Sequence, residues 1–345
     1  MCPATIHLIA AGGTIACLPD PDGPGLRPQL TAGDLAALAM DSWGTPDIAV
    51  EAWDAATVSG WNMTLQAMQG VAALVAKAVE QGTDGVVVTH GTDSLEETAV
   101  FLDVATAAPV PVVVTGAMRC SRATGSDAAV NLRDAIAVSC DPGSRGRGAL
   151  VVFNGHVWRA SGTRKVHSER LDAFIDVAAG PLADVFADAD GLRVMWWSPP
   201  TRFATLDVTS AITDVVLVEA SPGQDARFLA AVLSAEPDGL VLAGPGMGHV
   251  PGSWVPLLAD AVKGGLPVLM TTRVGNGPVG PQYGGPGGGF ELAAIGVVAC
   301  GHRSAQRARV ELACALGAGL TGTAAALWVA NREQPVPRNL GPSCE

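Results

Sequence analysis

Short apolar strands alternate with amphipathic helices through the first half of this chain, and this alternation limits the fold more than any other feature. Residues 6–10 and 85–89 are apolar on both faces, as the strands of a buried parallel sheet are. Further strands are predicted at 110–115 and 149–153, and helices at 32–40, 64–80, 95–105 and 128–139. This repetition predicts an α/β fold with a doubly wound parallel sheet.

The length of 345 residues predicts two domains, because it exceeds what one hydrophobic core usually supports. The alternation breaks before and around the run WWSPP at 196–200, which is typical of a linker. Beyond it, strands are predicted at 214–219, 239–243 and 267–271, a loop rich in Gly and Pro at 275–289, and a helix at 305–320. We therefore predict an N-terminal α/β catalytic domain at 1–190, a linker at 191–212 and a smaller C-terminal α/β domain at 213–345.

Composition excludes several classes of protein. The formal net charge of -12 argues against a nucleic-acid or anionic-membrane surface, since both need basic clusters. No apolar stretch is as long as a membrane span, and the N-terminus lacks the basic segment of a signal peptide. The seven cysteines form no CxxC pair and no metal-ligand pattern, which favours reduced thiols in the cytoplasm and no metal. The glycine-rich run 244–248 lacks the Lys-Ser/Thr ending of a phosphate loop, so no nucleotide cofactor is expected either.

Two glycine-threonine turns follow buried strands. One is Ala11-Gly12-Gly13-Thr14, and the other is His90-Gly91-Thr92-Asp93. Ligands of open α/β sheets bind outside the carboxyl ends of the strands, so Thr14 and Thr92 are predicted to face one crevice. Each threonine could instead only cap the helix that follows it. The occurrence of the same turn twice favours nucleophilic chemistry.

Lys165 is a third candidate, because the chain has three lysines against eighteen arginines. A lysine amine can lose its proton or orient a hydroxyl as a compact charge, which arginine does poorly. The alternative is an ordinary surface lysine. Of the neighbouring polar residues, His90 is interpreted as a support for its own turn, and Glu96 and Glu97 as solvated helix charges.

These motifs resemble those of the bacterial-type L-asparaginase family over nearly the whole chain. The matching runs are AGGTIA at 11–16, HGTDSLEETA at 90–99, VTGAMR at 114–119, the block at 127–132, the Lys165 region, and QRARV at 306–310. The resemblance implies a larger N-terminal flavodoxin-like domain and a smaller C-terminal α/β domain. It also implies a homotetramer assembled as a dimer of dimers.

The resemblance further implies the role of each site residue. Thr14 would be the nucleophile that attacks the side-chain amide of L-asparagine, releasing ammonia and L-aspartate through an acyl-enzyme. Thr92, Asp93 and Lys165 would form the second catalytic group, with Asp93 binding the substrate α-ammonium. The substrate-binding residues would be Ser59, Gly91, Thr92, Asp93 and Ala117, with backbone N–H groups near Thr92 and Ala117 stabilising the oxyanion.

Three departures from the family pattern bear on activity. Residues 17–31 contain no tyrosine where the family has one after the nucleophile, and Leu26 or Arg27 occupies roughly that place. The only tyrosine is Tyr283, interpreted as a loop anchor. The run from Ser59 to the next methionine is one residue longer than in the family, and a Gly-Asn-Gly-Asn segment is replaced at 246–249. These changes lead us to expect a slow or weakly binding asparaginase.

Other functions remain open at this point. The first is a broader glutaminase-asparaginase or a hydrolase for another small amide. The second is the amidotransferase component that feeds ammonia to tRNA-linked glutamate, which usually has an extra N-terminal domain. The third is a degenerate member of the family that binds asparagine without turnover.

Overall fold

The computed structural model describes residues 4–43, 48–188, 191–208 and 213–333. The strands are β1 (Ala4–Ala10), β2 (Cys17–Pro19), β3 (Leu26–Pro28), β4 (Ile48–Asp54), β5 (Gly85–Thr89), β6 (Val112–Thr115), β7 (Ala149–Phe153), β8 (His156–Arg159), β9 (Thr163–Lys165), β10 (Phe174–Asp176), β11 (Ala183–Asp188), β12 (Gly191–Trp196), β13 (Val215–Glu219), β14 (Gly239–Gly244), β15 (Val268–Thr272) and β16 (Val298–Ala299). The helices are α1 (Ala32–Trp43), α2 (Leu65–Glu80), α3 (Leu95–Ala105), α4 (Ala128–Cys140), α5 (Ala226–Leu233), α6 (Val255–Lys263), α7 (Gly289–Ala294), α8 (Ala305–Gly317) and α9 (Gly322–Asn331).

The larger domain contains an eight-stranded sheet in the order β12-β11-β8-β7-β6-β5-β1-β4. The five strands from β7 to β4 pair in parallel, and β8, β11 and β12 continue the sheet with antiparallel pairing. After β1 the chain adds β4 on one side and β5 on the other, so the strand order reverses at β1. In α/β proteins such a reversal opens a crevice at the carboxyl ends of the strands.

Both faces of this sheet are covered, which explains the continuous apolar strands. Side chains alternate across each strand, so Ile6 and Leu8 belong to a core with α1 and α4, whereas Ile9 belongs to one with α2 and α3. Local capping agrees with the sequence patterns: the Thr31 hydroxyl accepts from Asp34 N, and the Thr64 hydroxyl accepts from Ala67 N. The predicted fold class is confirmed.

The smaller domain contains the parallel sheet β13-β14-β15-β16. One face packs against α5, α6 and α7, and the other packs against α8 and α9. The core between this sheet and helices α8 and α9 continues into α2 and α3, because Leu65, Met68 and Phe101 pack within it. Apolar burial therefore joins the two domains beside the helix that follows the Thr92 turn.

The predicted linker begins too early, because its first six residues form strand β12. Residues 191–196 lie in the predicted linker 191–212, yet they pair along their whole length with β11. Trp196 also donates from Nε1 to Asp141 Oδ1 (3.0 Å) and stacks under the Arg147 guanidinium. Residues 209–212 of that segment lie outside the described residues. The limits of the two domains stay a proposal.

Candidate active site

Four neighbouring strands bring the predicted site residues to one edge of the large sheet. In the order β4-β1-β5-β6, the loops at their carboxyl ends carry Ser59, Thr14, Thr92 and Ala117 respectively. Because all four strands run parallel, these loops open on the same side. The topology therefore assembles the crevice that the two glycine-threonine turns predict.

Glycines let the first three of these loops touch. Gly13 has a φ of 82°, and a Cβ added to it would lie 2.1 Å from Gly91 Cα. A Cβ added to Gly91 would lie 2.7 Å from Gly60 Cα. These contacts exclude any side chain, so the backbones beside Thr14, Thr92 and Ser59 pack directly against one another.

Thr14 is the half-buried first residue of the 3₁₀ turn Thr14–Ala16. Gly13 occupies the N-cap position of this turn, and no side chain caps it. The alternative in which Thr14 only caps the following turn is therefore wrong. Thr14 directly follows the Gly13–Gly91 contact, so it lies beside the Thr92 turn.

The Thr92 turn is supported by a buried histidine. His90 Nδ1 lies 2.8 Å from Gly91 O, and His90 Nε2 lies 2.8 Å from Thr98 Oγ1. Burial lowers the pKa of His90 to about 4, so the ring is neutral at pH 7. We assign the proton to Nδ1, which donates to Gly91 O, and Nε2 then accepts from the Thr98 hydroxyl. Both ring nitrogens hold the turn in place, as the sequence interpretation of His90 expects.

Lys165 brings an amine to this turn. Its Nζ donates to Thr92 Oγ1 (2.8 Å) and to Asp93 Oδ1 (2.8 Å). The Thr92 side chain is buried, whereas the Asp93 carboxylate is about half exposed at the mouth of the crevice. The alternative of an ordinary surface lysine is therefore wrong, because the amine contacts both candidate residues of the second turn.

The loop after β6 is held by the residues of the 127–132 block. Asp127 accepts from Met118 N and Arg119 N, both at 2.9 Å, and Asn131 Nδ2 donates to Gly116 O (3.0 Å). Ala117 is buried within the loop that these bonds fix. Gly116 is close to the Thr92 turn, since a Cβ added to it would lie 2.6 Å from His90 O. The backbone at Ala117 is thus rigidly placed beside Thr92.

Ser59 borders the same crevice. It precedes the 3₁₀ turn Gly60–Asn62, and Gly60 O accepts from Ser94 Oγ (2.6 Å). A Cβ added to Gly60 would lie 3.3 Å from Asp93 N. The segment that carries Ser59 is therefore packed against the backbone of Asp93.

Comparison with known proteins agrees with this geometry. Residues 5–199 match the family described as asparaginase, N-terminal, and residues 214–326 match the glutaminase/asparaginase C-terminal domain. The chain belongs to the asparaginase family.

Relatives within the asparaginase family have two kinds of name. A probable L-asparaginase of Deinococcus radiodurans is 37% identical over 314 residues, covering 91% of this chain and 93% of that protein. An L-asparaginase of Bacillus licheniformis is 31% identical over 314 residues, covering 90% and 95%. A glutamyl-tRNA(Gln) amidotransferase subunit of Haloquadratum walsbyi is 32% identical over 321 residues, covering 90% of this chain and 71% of that protein.

The segment where asparaginases usually have a tyrosine forms a hairpin of β2 and β3. Arg27 is held within it, with Nε 3.3 Å from Asp20 Oδ1 and Nη2 3.0 Å from Asp22 Oδ2. Thr31 donates to Asp34 Oδ2 (2.7 Å) at the start of α1. Arg27 and Thr31 are thus each bound to carboxylates close to them in the sequence, and Leu26 is half exposed.

Tyr283 lies in the C-terminal domain. Its ring meets His249 edge-on at 5.3 Å between centroids, and its carbonyl accepts from Phe290 N (3.1 Å). These contacts fit the interpretation of Tyr283 as an anchor of its glycine-rich loop.

The prediction that Glu96 and Glu97 are solvated charges is wrong. Both are half-buried in the first turn of α3, and burial raises the pKa of Glu96 to about 7 and that of Glu97 above its ordinary value. Glu96 Oε2 accepts a hydrogen bond from Lys165 N. The run 99–102 consists of four consecutive apolar residues, which cover all sides of one turn of α3 and predict a helix buried on more than one face, and that signal could have identified these carboxylates.

A cavity of about 450 Å³ borders the Lys165 side of the site. Charged and polar groups line it, including Asp93, Glu96, Glu97, Lys165 and His167. Across residues 4–43, 48–188, 191–208 and 213–333, no group of three or more His, Cys, Asp or Glu side chains is arranged to hold a metal ion. The helices among the described residues are all too short or too polar to cross a membrane.

Proposed function

We propose that this asparaginase-family chain is an amidohydrolase that converts L-asparagine to L-aspartate and ammonia through a threonine acyl-enzyme. The observation that carries the proposal is the pair of hydrogen bonds from Lys165 Nζ to Thr92 Oγ1 and Asp93 Oδ1. These bonds lie on the turn whose Gly91 backbone packs against Gly13, next to Thr14. A nucleophile and a lysine-hydroxyl pair on adjoining loops suit a two-step acyl transfer.

In the first step, Thr14 Oγ forms a bond to the side-chain amide carbon of asparagine. The amide oxygen takes up negative charge, and in this proposal backbone N–H groups near Thr92 and Ala117 stabilise it. Collapse of this intermediate breaks the C–N bond, and the nitrogen leaves as ammonia after taking up the proton of the Thr14 hydroxyl. An aspartyl ester on Thr14 remains.

In the second step, water attacks the ester carbon and the Thr14–carbonyl bond breaks. In this step Lys165 acts as the neutral amine, whose N–H polarises the Thr92 hydroxyl while its lone pair is free to accept a proton. Thr92 and Lys165 together orient the attacking water, and the proton of the water passes to the Lys165 amine. The proton returns to Thr14 Oγ, and aspartate is released. Asp93 binds the substrate α-ammonium at the exposed mouth of the crevice, with Ser59 and Gly91 as further contacts.

Substrate choice is tested by measuring ammonia release from L-asparagine and L-glutamine in parallel, with an enzyme-free control. We expect kcat/KM for asparagine to exceed that for glutamine. Equal values would identify a broader glutaminase-asparaginase. No ammonia from either amide, together with measurable asparagine binding, would identify a binding protein and contradict the proposed hydrolysis.

The similarity to a glutamyl-tRNA(Gln) amidotransferase makes that activity the second candidate. Delivery of ammonia to tRNA-linked glutamate would require partner proteins and tRNA, whereas the proposed hydrolysis requires only water. Ammonia release by the purified chain alone at a rate that tRNA does not alter would favour the hydrolase.

For the assembly and location we propose a homotetramer, arranged as a dimer of dimers, in the cytoplasm. All five cysteines among the described residues are free thiols, which is compatible with a reducing compartment. Sedimentation equilibrium of the purified chain would test the tetramer.

A further inference from the structure

One carboxylate that the proposed reaction does not use lies directly against Lys165. Glu96 is in the first turn of α3, and its Oε2 accepts a hydrogen bond from the backbone N–H of Lys165. The side chain of the same lysine reaches Thr92 Oγ1. Glu96 thus holds the backbone of the residue whose amine completes the candidate site.

This contact matters because β9, which carries Lys165, is not part of the large sheet. It is three residues long and pairs with β10, where Lys165 lies opposite Phe174. The hydrogen-bond ladder that places Thr92 therefore does not place Lys165. Because α3 begins three residues after Thr92, the bond from Lys165 N to Glu96 connects β9 to the element that carries Thr92.

Burial and the charged groups around Glu96 determine the pH at which its carboxylate is protonated. Burial raises its pKa to about 7, and the hydrogen bond from Lys165 N opposes that rise. Arg164 and Lys165 on β9 favour the ionised carboxylate, whereas Glu97 on α3 disfavours it. Asp93 and His167 also face the cavity that Glu96 lines.

We propose that Glu96 is a positioning residue that fixes Lys165 for its hydrogen bond to Thr92, and that the ionised carboxylate is the working form. A carboxylate accepts a backbone N–H more strongly than a neutral carboxyl group does. Protonation therefore loosens Lys165, and activity falls on the acid side of neutrality. The catalytic part of this inference rests on the proposed function, whereas the coupling between Glu96 and Lys165 does not.

The coupling is measured without any reaction by NMR of protein labelled with ¹⁵N-lysine. The chain has three lysines, at 77, 165 and 263, so three amide signals are expected, and Lys165→Arg identifies the relevant one by its loss. In the wild type this signal shifts with an inflection at pH about 7. The inflection is absent in Glu96→Gln and present in Glu97→Gln, a matched control, where it moves to lower pH because the Glu97 charge no longer raises the pKa of Glu96. A signal that does not titrate, or that titrates unchanged in Glu96→Gln, overturns the proposal.

Kinetics then test the catalytic consequence. In Glu96→Gln we expect kcat for asparagine to fall about tenfold with little change in KM, and the acid limb of its pH profile to disappear. Glu97→Gln retains both the rate and the limb. Wild-type kcat and pH profile in Glu96→Gln contradict the positioning role. Ammonia release that persists in Thr14→Ala contradicts the proposed function instead, and the NMR result still decides the coupling.

Discussion

At the scale of single residues, the site depends on one amine that contacts a hydroxyl and a carboxylate at 2.8 Å each. Lys165→Arg keeps the positive charge, but the planar guanidinium is larger and does not lose a proton near neutral pH. We expect kcat to fall at least about a hundredfold, the scale of a lost acid–base group. Steady-state ammonia release gives the value.

Lys263→Arg is the matched control for that substitution, because Lys263 is an exposed residue at the end of α6. It should retain the wild-type rate. If Lys165→Arg were equally active, the amine of Lys165 would have no role beyond its charge.

At the scale of elements, the hairpin of β2 and β3 stands where the family has its activating phenol. Leu26 and Arg27 are consecutive in β3, so their side chains point to opposite faces and only one of them can point toward Thr14. Tyrosine at that position should raise kcat several-fold, on the order of what one added hydrogen bond contributes.

The hairpin prediction is measured by comparing Leu26→Tyr and Arg27→Tyr with the corresponding phenylalanine variants, which lack the hydroxyl. Only one of the two tyrosine variants should be faster than its phenylalanine control. No gain in either variant would mean that the hairpin does not close over Thr14 as a lid. Loss of activity in Tyr283→Phe by orders of magnitude, with an intact fold, would instead show that Tyr283 supplies the phenol.

The ionised form of Glu96 in helix α3 destabilises the folded protein, because burial raises the pKa of this carboxyl group. The pKa of Glu96 is about 7 in the folded protein against 4.5 ordinarily, so between these values the folded state binds more protons than the unfolded state. The contribution of Glu96 to the free energy of unfolding therefore falls as the pH rises from about 4.5 to about 7. We compare the free energy of unfolding of Glu96→Gln with that of the wild type. The difference in favour of the variant should be larger at pH 8 than at pH 4.5, by at most about 3 kcal/mol.

Urea unfolding of both proteins at the two pH values checks this prediction. Taking the difference between variant and wild type removes the contribution of the other titrating groups. A stability difference that is the same at pH 4.5 and pH 8 would show that the pKa of Glu96 is not raised by folding.

At the scale of the whole molecule, a buried ion cluster joins the two domains. Glu311 of α8 is fully buried and accepts from Arg303, Arg307 and Arg332 at 2.9–3.0 Å. Arg332 also bonds Asp103 of α3 at 2.8 Å. Although burial opposes ionisation, the three guanidinium groups hold the pKa of Glu311 below its ordinary value.

Glu311→Ala should therefore destabilise the protein by about 3–5 kcal/mol, because it removes the buried carboxylate that three guanidinium groups share, although Arg332 keeps Asp103 and Arg307 keeps Glu333. The stabilisation from Glu311 is present above pH 4.5 and is lost as pH falls through its lower folded pKa. Urea midpoints at pH 7 measure the loss. Glu219→Ala, which removes an exposed partner of Arg273, is the control and should cost less than about 1 kcal/mol. Equal effects of the two variants would contradict a structural role for the cluster.

Sequence patterns predict the central strands and helices more closely than the periphery. The bounds of β5, α3 and β7 agree with the prediction, because apolar runs there end at glycine or polar turns. The strands at the edge of the large sheet were not predicted. In β12, exposed and half-buried residues alternate, so no continuous apolar run marks the strand, and the run that begins at Trp196 is typical of a linker. The Trp196 indole packs instead against Arg147.

The candidate site was likewise predictable in part, namely in its turns but not in its long-range contacts. The turns at Thr14 and Thr92 could be predicted because local chemistry, glycine followed by threonine at the end of a strand, places them. The bond between Glu96 and Lys165 could not, because it joins residues 69 positions apart through a strand outside the large sheet.

Replacement of Thr14 tests the central claim most directly, by ammonia release from L-asparagine in Thr14→Ala and Thr14→Ser. Thr14 is half-buried at a loop, so neither change opens a large core cavity, and both variants should fold and bind asparagine. We predict that Thr14→Ala loses at least about a thousandfold in kcat, whereas Thr14→Ser, which keeps a hydroxyl, retains measurable turnover. A folded Thr14→Ala protein that keeps most of the wild-type rate would contradict the acyl-enzyme on Thr14.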